Sequence, residues 1–528
     1  MKIKNWRMST SLKILLCFFW LVAIILPLLR MLSTIGTVNV GAVIGARKFS
    51  RALNQSLVVS SVATAISVGI AGVLAWAVAR TRVKHKTILN TLITLPMLIP
   101  SISHGMGLII ILGANGWLSR LIGFQGGIYG FWGIVIGSVM YSFPVAYLML
   151  YDVLSYEDGT PYEAAETMGL TARDKFFAIT LPYLRKPLIS VIFATFTMII
   201  TDYGVPLMVG GKYMTLPVMM YQDVIGMLDF GKGSVIGMIL LIPAFIACIL
   251  DIANRDKGNI AFIGRAYSIR ESKGRDFMAE TIILLIVVLI LLPIISFSVL
   301  GFINKYPLDM TFSLSNALQA INMGALRYLK NSLIIAVVVA FLGTAFAVFN
   351  AYMTARNRTK LGYFLHLMSV ISLAIPGIVL GLSYVMFFKG TLIYGTIAMM
   401  FLVNSMHFFA SPYLMAYNTF GKINEKIEEV GATMGIRRWS IIKDVLLPQA
   451  SGTMLEMMSY FFVNSMMTIS AVSFLANVEN RPIALMITQF EGQMQLECAA
   501  FVSLVILVVN ISMKFIIFLM RAYHIKIK

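Results

Sequence analysis

Two stretches decide how this chain is read: EAAETMGLTARDKFFAITLP, Glu163 to Pro182, and EVGATMGIRRWSIIKDVLLP, Glu429 to Pro448. The second begins 266 residues after the first. In each, a Glu is followed six residues on by Gly (Gly169, Gly435) and thirteen further on by Pro (Pro182, Pro448), preceded by Leu181 or Leu447. Two such stretches in register are an internal repeat. A Glu in a first helical turn is favoured by the dipole. The Gly can take positive φ and reverse the chain. An amphipathic helix then carries Phe176, Phe177 and Ile179, or Trp439, Ile442 and Val445, and the Pro is expected to start the return into the membrane. An interfacial helix lying on headgroups explains one such copy; two at matching positions point to paired docking elements.

Composition supports the membrane. Of 528 residues, 59% are hydrophobic and only 12% charged, which excludes an ordinary soluble protein. The net charge of +19 comes from Lys and Arg clustered between apolar spans, so it marks topology rather than nucleic-acid binding. Cys17, Cys248 and Cys498 lack metal-ligand spacing and read as packing residues. The run from Ile14 to about Leu32 has no small-x-small cleavage site and is expected to be a retained anchor.

Apolar runs of about 20 residues place spans near 12–32, 56–79, 88–112, 130–152, 187–208 and 233–251. Six more lie near 279–301, 331–354, 361–387, 393–418, 452–475 and 499–520. The expected fold is therefore an all-α integral membrane protein of about twelve transmembrane helices. It divides into a first repeat at 1–252, a cytoplasmic linker at 253–278 and a second repeat at 279–528. The repeated stretches occupy loops 157–186 and 421–451. Basic loops alternate with basic-poor ones, placing both termini and both repeated stretches in the cytoplasm; Arg47, Lys48 and Arg51 are the exception.

The duplication reaches further. Gln55-Ser56-Leu57 with Ala79-Arg80 and Arg82 matches Asn331-Ser332-Leu333 with Ala355-Arg356 and Arg358, and Pro100 and Gly105 match Pro376 and Gly381, all at an offset of 276. About ten residues of the outer loop 113–127 are thus missing from the second half. Six spans per half make the repeats parallel, with a pathway between them.

The pattern Glu-Ala-Ala, three residues, Gly, nine residues, Ile, one residue, Leu-Pro resembles the coupling motif of ATP-binding-cassette importer permeases. The first copy fits throughout: Glu163, Ala164, Ala165, Gly169, Ile179, Leu181 and Pro182. The second keeps Glu429, Gly435, Leu447 and Pro448 but has Val430, Gly431 and Val445 at the remaining positions. The resemblance covers nearly the whole chain, as two fused permease domains of the kind found in iron, polyamine, thiamine and 2-aminoethylphosphonate importers. It implies the type I importer permease fold in a bacterial inner membrane. It further implies coupling helices docked on cytoplasmic ATPase subunits, in two copies, and cargo delivered by an extracytoplasmic binding protein. The remaining partner is membrane lipid. ATP and Mg²⁺ belong to the ATPase: this chain has no G-x-x-x-x-G-K-[ST], and Gly211-Lys212-Tyr213 and Gly231-Lys232-Gly233 lack the spacing and the hydroxyl.

Inside the membrane, aligning the helices after each Pro pairs Asp202 with Thr468 and Gly204 with Ser470. An ionisable residue there is a candidate site by default, so Asp202, Tyr203, Asn464, Thr468 and Ser470 are the expected pathway residues; interhelical hydrogen bonding is the alternative. His104 and His407 read as packing residues, the 35 methionines as core filler, and no catalytic or metal motif appears. A secondary transporter would carry more intramembrane charge and have no use for paired docking loops. A membrane-embedded enzyme would need a catalytic constellation. For substrate, the Thr201–Gly226 and Ser470–Gln493 stretches resemble the 2-aminoethylphosphonate and ferric-iron branches, the former slightly more through Asp202-Tyr-Gly-Val-Pro206 and Ser473-Phe-Leu475.

Overall fold

The computed structural model describes residues 10–124, 126–254, 267–269, 271–356, 359–424 and 426–527. Half of the expected linker and Arg358 lie outside the described residues. Among those described, eight helices are long and apolar enough to cross a membrane, from Thr10–Thr37 to Leu496–Tyr523. Two further crossings are bent pairs: Lys360–Ala374 with Gly377–Phe388, at 109°, and Ile397–His407 with Ala410–Lys422, at 54°. The other two expected spans are also helical. One is the shorter apolar helix Phe230–Ile246; the other is Leu447–Met467, whose Gln449, Ser451, Glu456 and Ser459 dilute its apolar character.

Several boundaries differ from the sequence expectation, each for a local reason. The run at 88–112 is not one helix: Lys86–Thr94 passes into a 3₁₀ turn, Leu95–Leu98, and a new helix starts at Ser101. Pro96 and Pro100 flank the break, and proline cannot continue the helical hydrogen-bond ladder. Pro376 lies in the matching break between Ala374 and Gly377. The span at 187–208 ends at Ile200 and is followed by two short helices, Gly204–Val209 and Leu216–Tyr221. A small antiparallel hairpin, Ile303–Lys305 with Asp309–Phe312, was not expected. Lys48, part of the exception to the charge pattern, stands 3.9 Å from the buried Asp223 carboxylate.

The first helix of each repeat packs on the other repeat. Leu26–Ser33 lies against Gly377–Phe388, Trp20 Nε1 donates to Asn350 Oδ1 at 3.3 Å, and Tyr384 Oη donates to the Ala23 carbonyl at 2.7 Å. Conversely, Lys273–Leu300 lies along Ser101–Leu112. The halves are thereby interlocked, and burial continues across them as one core. The matched serines have matched work: Ser56 Oγ accepts from the Leu216 amide and Ser332 Oγ from the Ile483 amide, each at 2.8 Å. Each satisfies an orphan donor at the start of a short helix.

Candidate functional site

Both repeated stretches fold as the same helical hairpin. The first helices are Thr160–Thr167 and Lys426–Thr433, and the second begin at Ala172 and Arg438. Between them Gly169 and Gly435 have φ of +71° and +73°. Each first helix closes in the same way: the Leu170 amide donates to the Ala165 carbonyl at 3.0 Å, and the Ile436 amide to the Gly431 carbonyl at 2.9 Å. This six-to-one closure around a left-handed residue is the Schellman arrangement, and it explains the glycine. Ala165 and Gly431 are buried under the turn, so a small side chain is what the second copy preserves despite its departure from Ala.

The Leu-Pro pair does not start a new helix. The chain is helical without interruption from Ala172 to Ile200; immediately before the prolines, Phe176–Thr180 and Ile442–Leu446 each form one π turn. Leu181 and Leu447 donate five residues back, to the carbonyls of Phe176 and Ile442. A proline ring would collide with the carbonyl four residues earlier in an α-helix, and the widened turn relieves this.

Both hairpins expose large apolar side chains among charged ones. Met168 and Met434, at matching positions, are 75% and 69% exposed, and Phe177, Val430 and Trp439 are also exposed. Glu163, Ala164, Leu181, Pro182, Glu429 and Pro448 are exposed too, while Ile179 and Leu447 are half-buried. The copies differ at the second helix. In the first, Thr171 and Asp174 form a capping box; in the second, Arg437 supplies no side-chain cap. Thr171→Ala is therefore expected to cost about 1 kcal/mol, seen as roughly fivefold faster hydrogen exchange at the Asp174 and Lys175 amides. Unchanged exchange would show the box to be idle.

Each hairpin is held by a buried arginine from the end of a membrane helix. Arg80 pairs with Glu157, both almost fully buried, and its guanidinium lies 3.7 Å from the Tyr267 ring centre and 5.3 Å from that of Tyr162. Tyr162 Oη in turn donates to Glu157 Oε1 at 2.7 Å. Arg356 donates Nε to Glu428 Oε1 at 2.7 Å, pairs a second time with that carboxylate, and also donates to the carbonyls of Phe420, Ile423 and Asn424. Arg438 of the second hairpin donates to Tyr352 Oη at 2.7 Å.

Between the repeats lies a cavity of about 440 Å³. The first repeat contributes Tyr141, Thr201 and Asp202 to its wall; the second contributes His407, Tyr460 and Ser470. Asp202 is held by a 2.6 Å hydrogen bond from Ser101 Oγ, and its other oxygen accepts from the Val205 amide at 3.0 Å. The repeats have exchanged a serine here. Ser101 fills the space that a Cβ on Gly204 would need, whereas Ser470 fills the corresponding space at Gly377, and Gly377 and Ser470 are the counterparts of Ser101 and Gly204. Only the first arrangement leaves a hydroxyl aimed at a carboxylate.

The chain matches the binding-protein-dependent transport system inner membrane component family twice, over residues 67–254 and 343–522. It belongs to that family, as two permease domains fused in one chain. The ferric transport system permease protein of Actinobacillus pleuropneumoniae is 26% identical over 89% of this chain and 71% of its own length. A putative ferric transport system permease protein of Haemophilus influenzae is 25% identical over 84% and 74%. The thiamine transport system permease protein of Escherichia coli is 20% identical over 82% of each. This permease is thus a multi-pass membrane protein.

Among the expected pathway residues, the permease brings Asp202 and Ser470 to the cavity. Tyr203 is buried, hydrogen-bonded to Ser473 and stacked on Tyr221 at 4.9 Å. Asn464 Nδ2 donates to the Tyr460 carbonyl at 2.8 Å, and Thr468 is buried at the end of Leu447–Met467; neither lines the cavity. His407, which the sequence suggests is packing, does line it, and its Nδ1 has no hydrogen-bond partner. Sequence reasoning missed the arginine clamps altogether.

Proposed function

We propose that this permease is the transmembrane subunit of an ATP-driven importer for a cationic solute, ferric iron, which an extracytoplasmic binding protein delivers. Its hairpins dock on two copies of a cytoplasmic ATPase. The observation that carries the choice of cargo is the lining of the inter-repeat cavity: one carboxylate, Asp202, with hydroxyls and an imidazole, and neither Lys nor Arg. The ammonium of 2-aminoethylphosphonate can face Asp202, but its anionic phosphonate would find no cation in this wall, which weighs against that cargo despite the sequence resemblance. Oxygen donors suit a hard cation. Among the described residues no three His, Cys, Asp or Glu side chains converge on one point. The cavity therefore suits transit, where binding must be weak enough to release. Ferric permeases among the relatives support the same cargo.

The test is uptake by proteoliposomes holding the permease, its ATPase and the binding protein. Iron accumulation should require ATP and the binding protein together; accumulation without ATP would sink the importer reading. Asp202→Asn keeps the hydrogen-bonding shape and removes the charge. It is expected to lower iron uptake about tenfold, as loss of about 1.4 kcal/mol of charge interaction implies. ATPase stimulation should persist. Undiminished uptake would remove Asp202 from the pathway.

A further inference from the structure

A second cavity, of about 1030 Å³, opens beside the first hairpin. Its apolar wall comes from Val68, Gly69, Gly72, Val73 and Trp76 on the helix Arg47–Arg80, facing Leu150, Leu154, Leu184 and Leu188. Two glycines one turn apart make the room. A Cβ on Gly69 would meet nothing within 4 Å, and one on Gly72 only Leu150 Cδ1 at 4.0 Å. At the matching positions the second repeat has Ala345, Val348 and, opposite Trp76, Tyr352. Val348 and Tyr352 are buried, and Arg438 is bonded to Tyr352, whereas Trp76 is 38% exposed. At the Gly72 and Trp76 positions the second repeat thus has buried side chains where the first leaves a groove, while Ala345, at the Gly69 position, is exposed.

The hairpin end of the groove is polar and of mixed sign. Glu163, Glu166, Lys175 and Arg275 line it together with Tyr162 and Tyr267. Lys175 Nζ stands 4.0 Å from Glu166, and Arg275 lies 3.1 Å from Asp276. Arg80 also lines this end but is committed to Glu157; the other two cations and the two carboxylates, at the mouth of an apolar slot, complement a headgroup carrying both charges. We propose that this groove binds phosphatidylethanolamine from the leaflet on the hairpin side. The acyl chain runs along Gly69 and Gly72, the phosphate meets Lys175 and Arg275, and the ammonium meets Glu163 and Glu166. The lipid then forms part of the wall on which the first hairpin rests, with no counterpart in the second repeat.

The test uses native mass spectrometry on the full-length permease purified with its ATPase from membranes containing phosphatidylethanolamine and phosphatidylglycerol. The wild type should retain phosphatidylethanolamine. Gly72→Val, which installs the second repeat's residue, should lower retention about tenfold, the effect of displacing roughly two methylenes of contact. Gly69→Leu enters open space and gives the same readout if Gly72→Val fails to assemble. Arg275→Gln should weaken retention while leaving the apolar slot intact. Retention of phosphatidylglycerol instead, no retained lipid in the wild type, or equal retention in well-folded glycine variants would each overturn the proposal.

Discussion

With the hairpins docked on an ATPase as proposed, Gly169→Val and Gly435→Val are each expected to remove most of the ATPase stimulation, with the larger loss at Gly435. Both glycines sit at φ near +70°, where a β-branched side chain is strained by about 1–3 kcal/mol. Relaxing that strain breaks the closure onto the Ala165 or Gly431 carbonyl and re-aims the exposed apolar tip that carries Met168 or Met434. A rigid lever transmits force only while its angle is fixed. The first hairpin has a reserve: the Thr171–Asp174 box and the Tyr162 hydroxyl, bonded to both Glu157 and Thr180, hold its second helix when the turn is strained. The second has no side-chain cap at Arg437. Measuring ATP hydrolysis by the reconstituted complex for both variants tests this. Equal losses would show the two contacts to be equivalent, and normal stimulation in both would remove the hairpins from coupling.

What the sequence made legible was whatever both repeats carry at the same register. Gly169 and Gly435, Ser56 and Ser332, and Pro100 and Pro376 recur at fixed offsets, and each pair has the same structural work. Features that break the register could not be read that way. Arg80 and Arg356 match, but their carboxylates do not: Glu157 corresponds to Ile423, and Glu428 corresponds to Tyr162. Two different solutions hold one matched cation, and in the sequence both arginines look like ordinary positive-inside charges. The exchanged Ser101 and Ser470 pose the same difficulty, since alignment shows only Ser against Gly. Asp202 was legible because a carboxylate beside a span is costly. Thr468 was its aligned partner, but residue type alone does not tell that the chain leaves the helix there and turns Ser470, not Thr468, to the cavity. The π turns had one legible cause, the Leu-Pro pair, yet proline at that point equally well predicts a helix start.

Removing the Arg356 side chain with Arg356→Ala should destabilise the second hairpin by about 3–5 kcal/mol, the cost of leaving a buried charge without its partner. Glu428 and the carbonyls of Phe420, Ile423 and Asn424 lose one donor in common. Those carbonyls belong to the end of Ala410–Lys422 and the residues after it, where a cation is favoured by the helix dipole. Arg356→Lys keeps the charge but cannot span a carboxylate and several carbonyls with one ammonium, so it should restore only part of the loss. At Arg80 the geometry differs: the guanidinium holds Glu157 and lies over two tyrosine rings, so lysine there loses the stacking as well as the fork. The decisive measurement sets thermal stability in detergent against ATPase stimulation in the assembled transporter. A lever fixed by its arginine predicts that Arg356→Lys still assembles with the ATPase but stimulates it poorly, since the hairpin is present and its angle is loose. A residue that merely stabilises the fold predicts stimulation falling only in proportion to folded protein. That second outcome would reduce Arg356 to a structural tie.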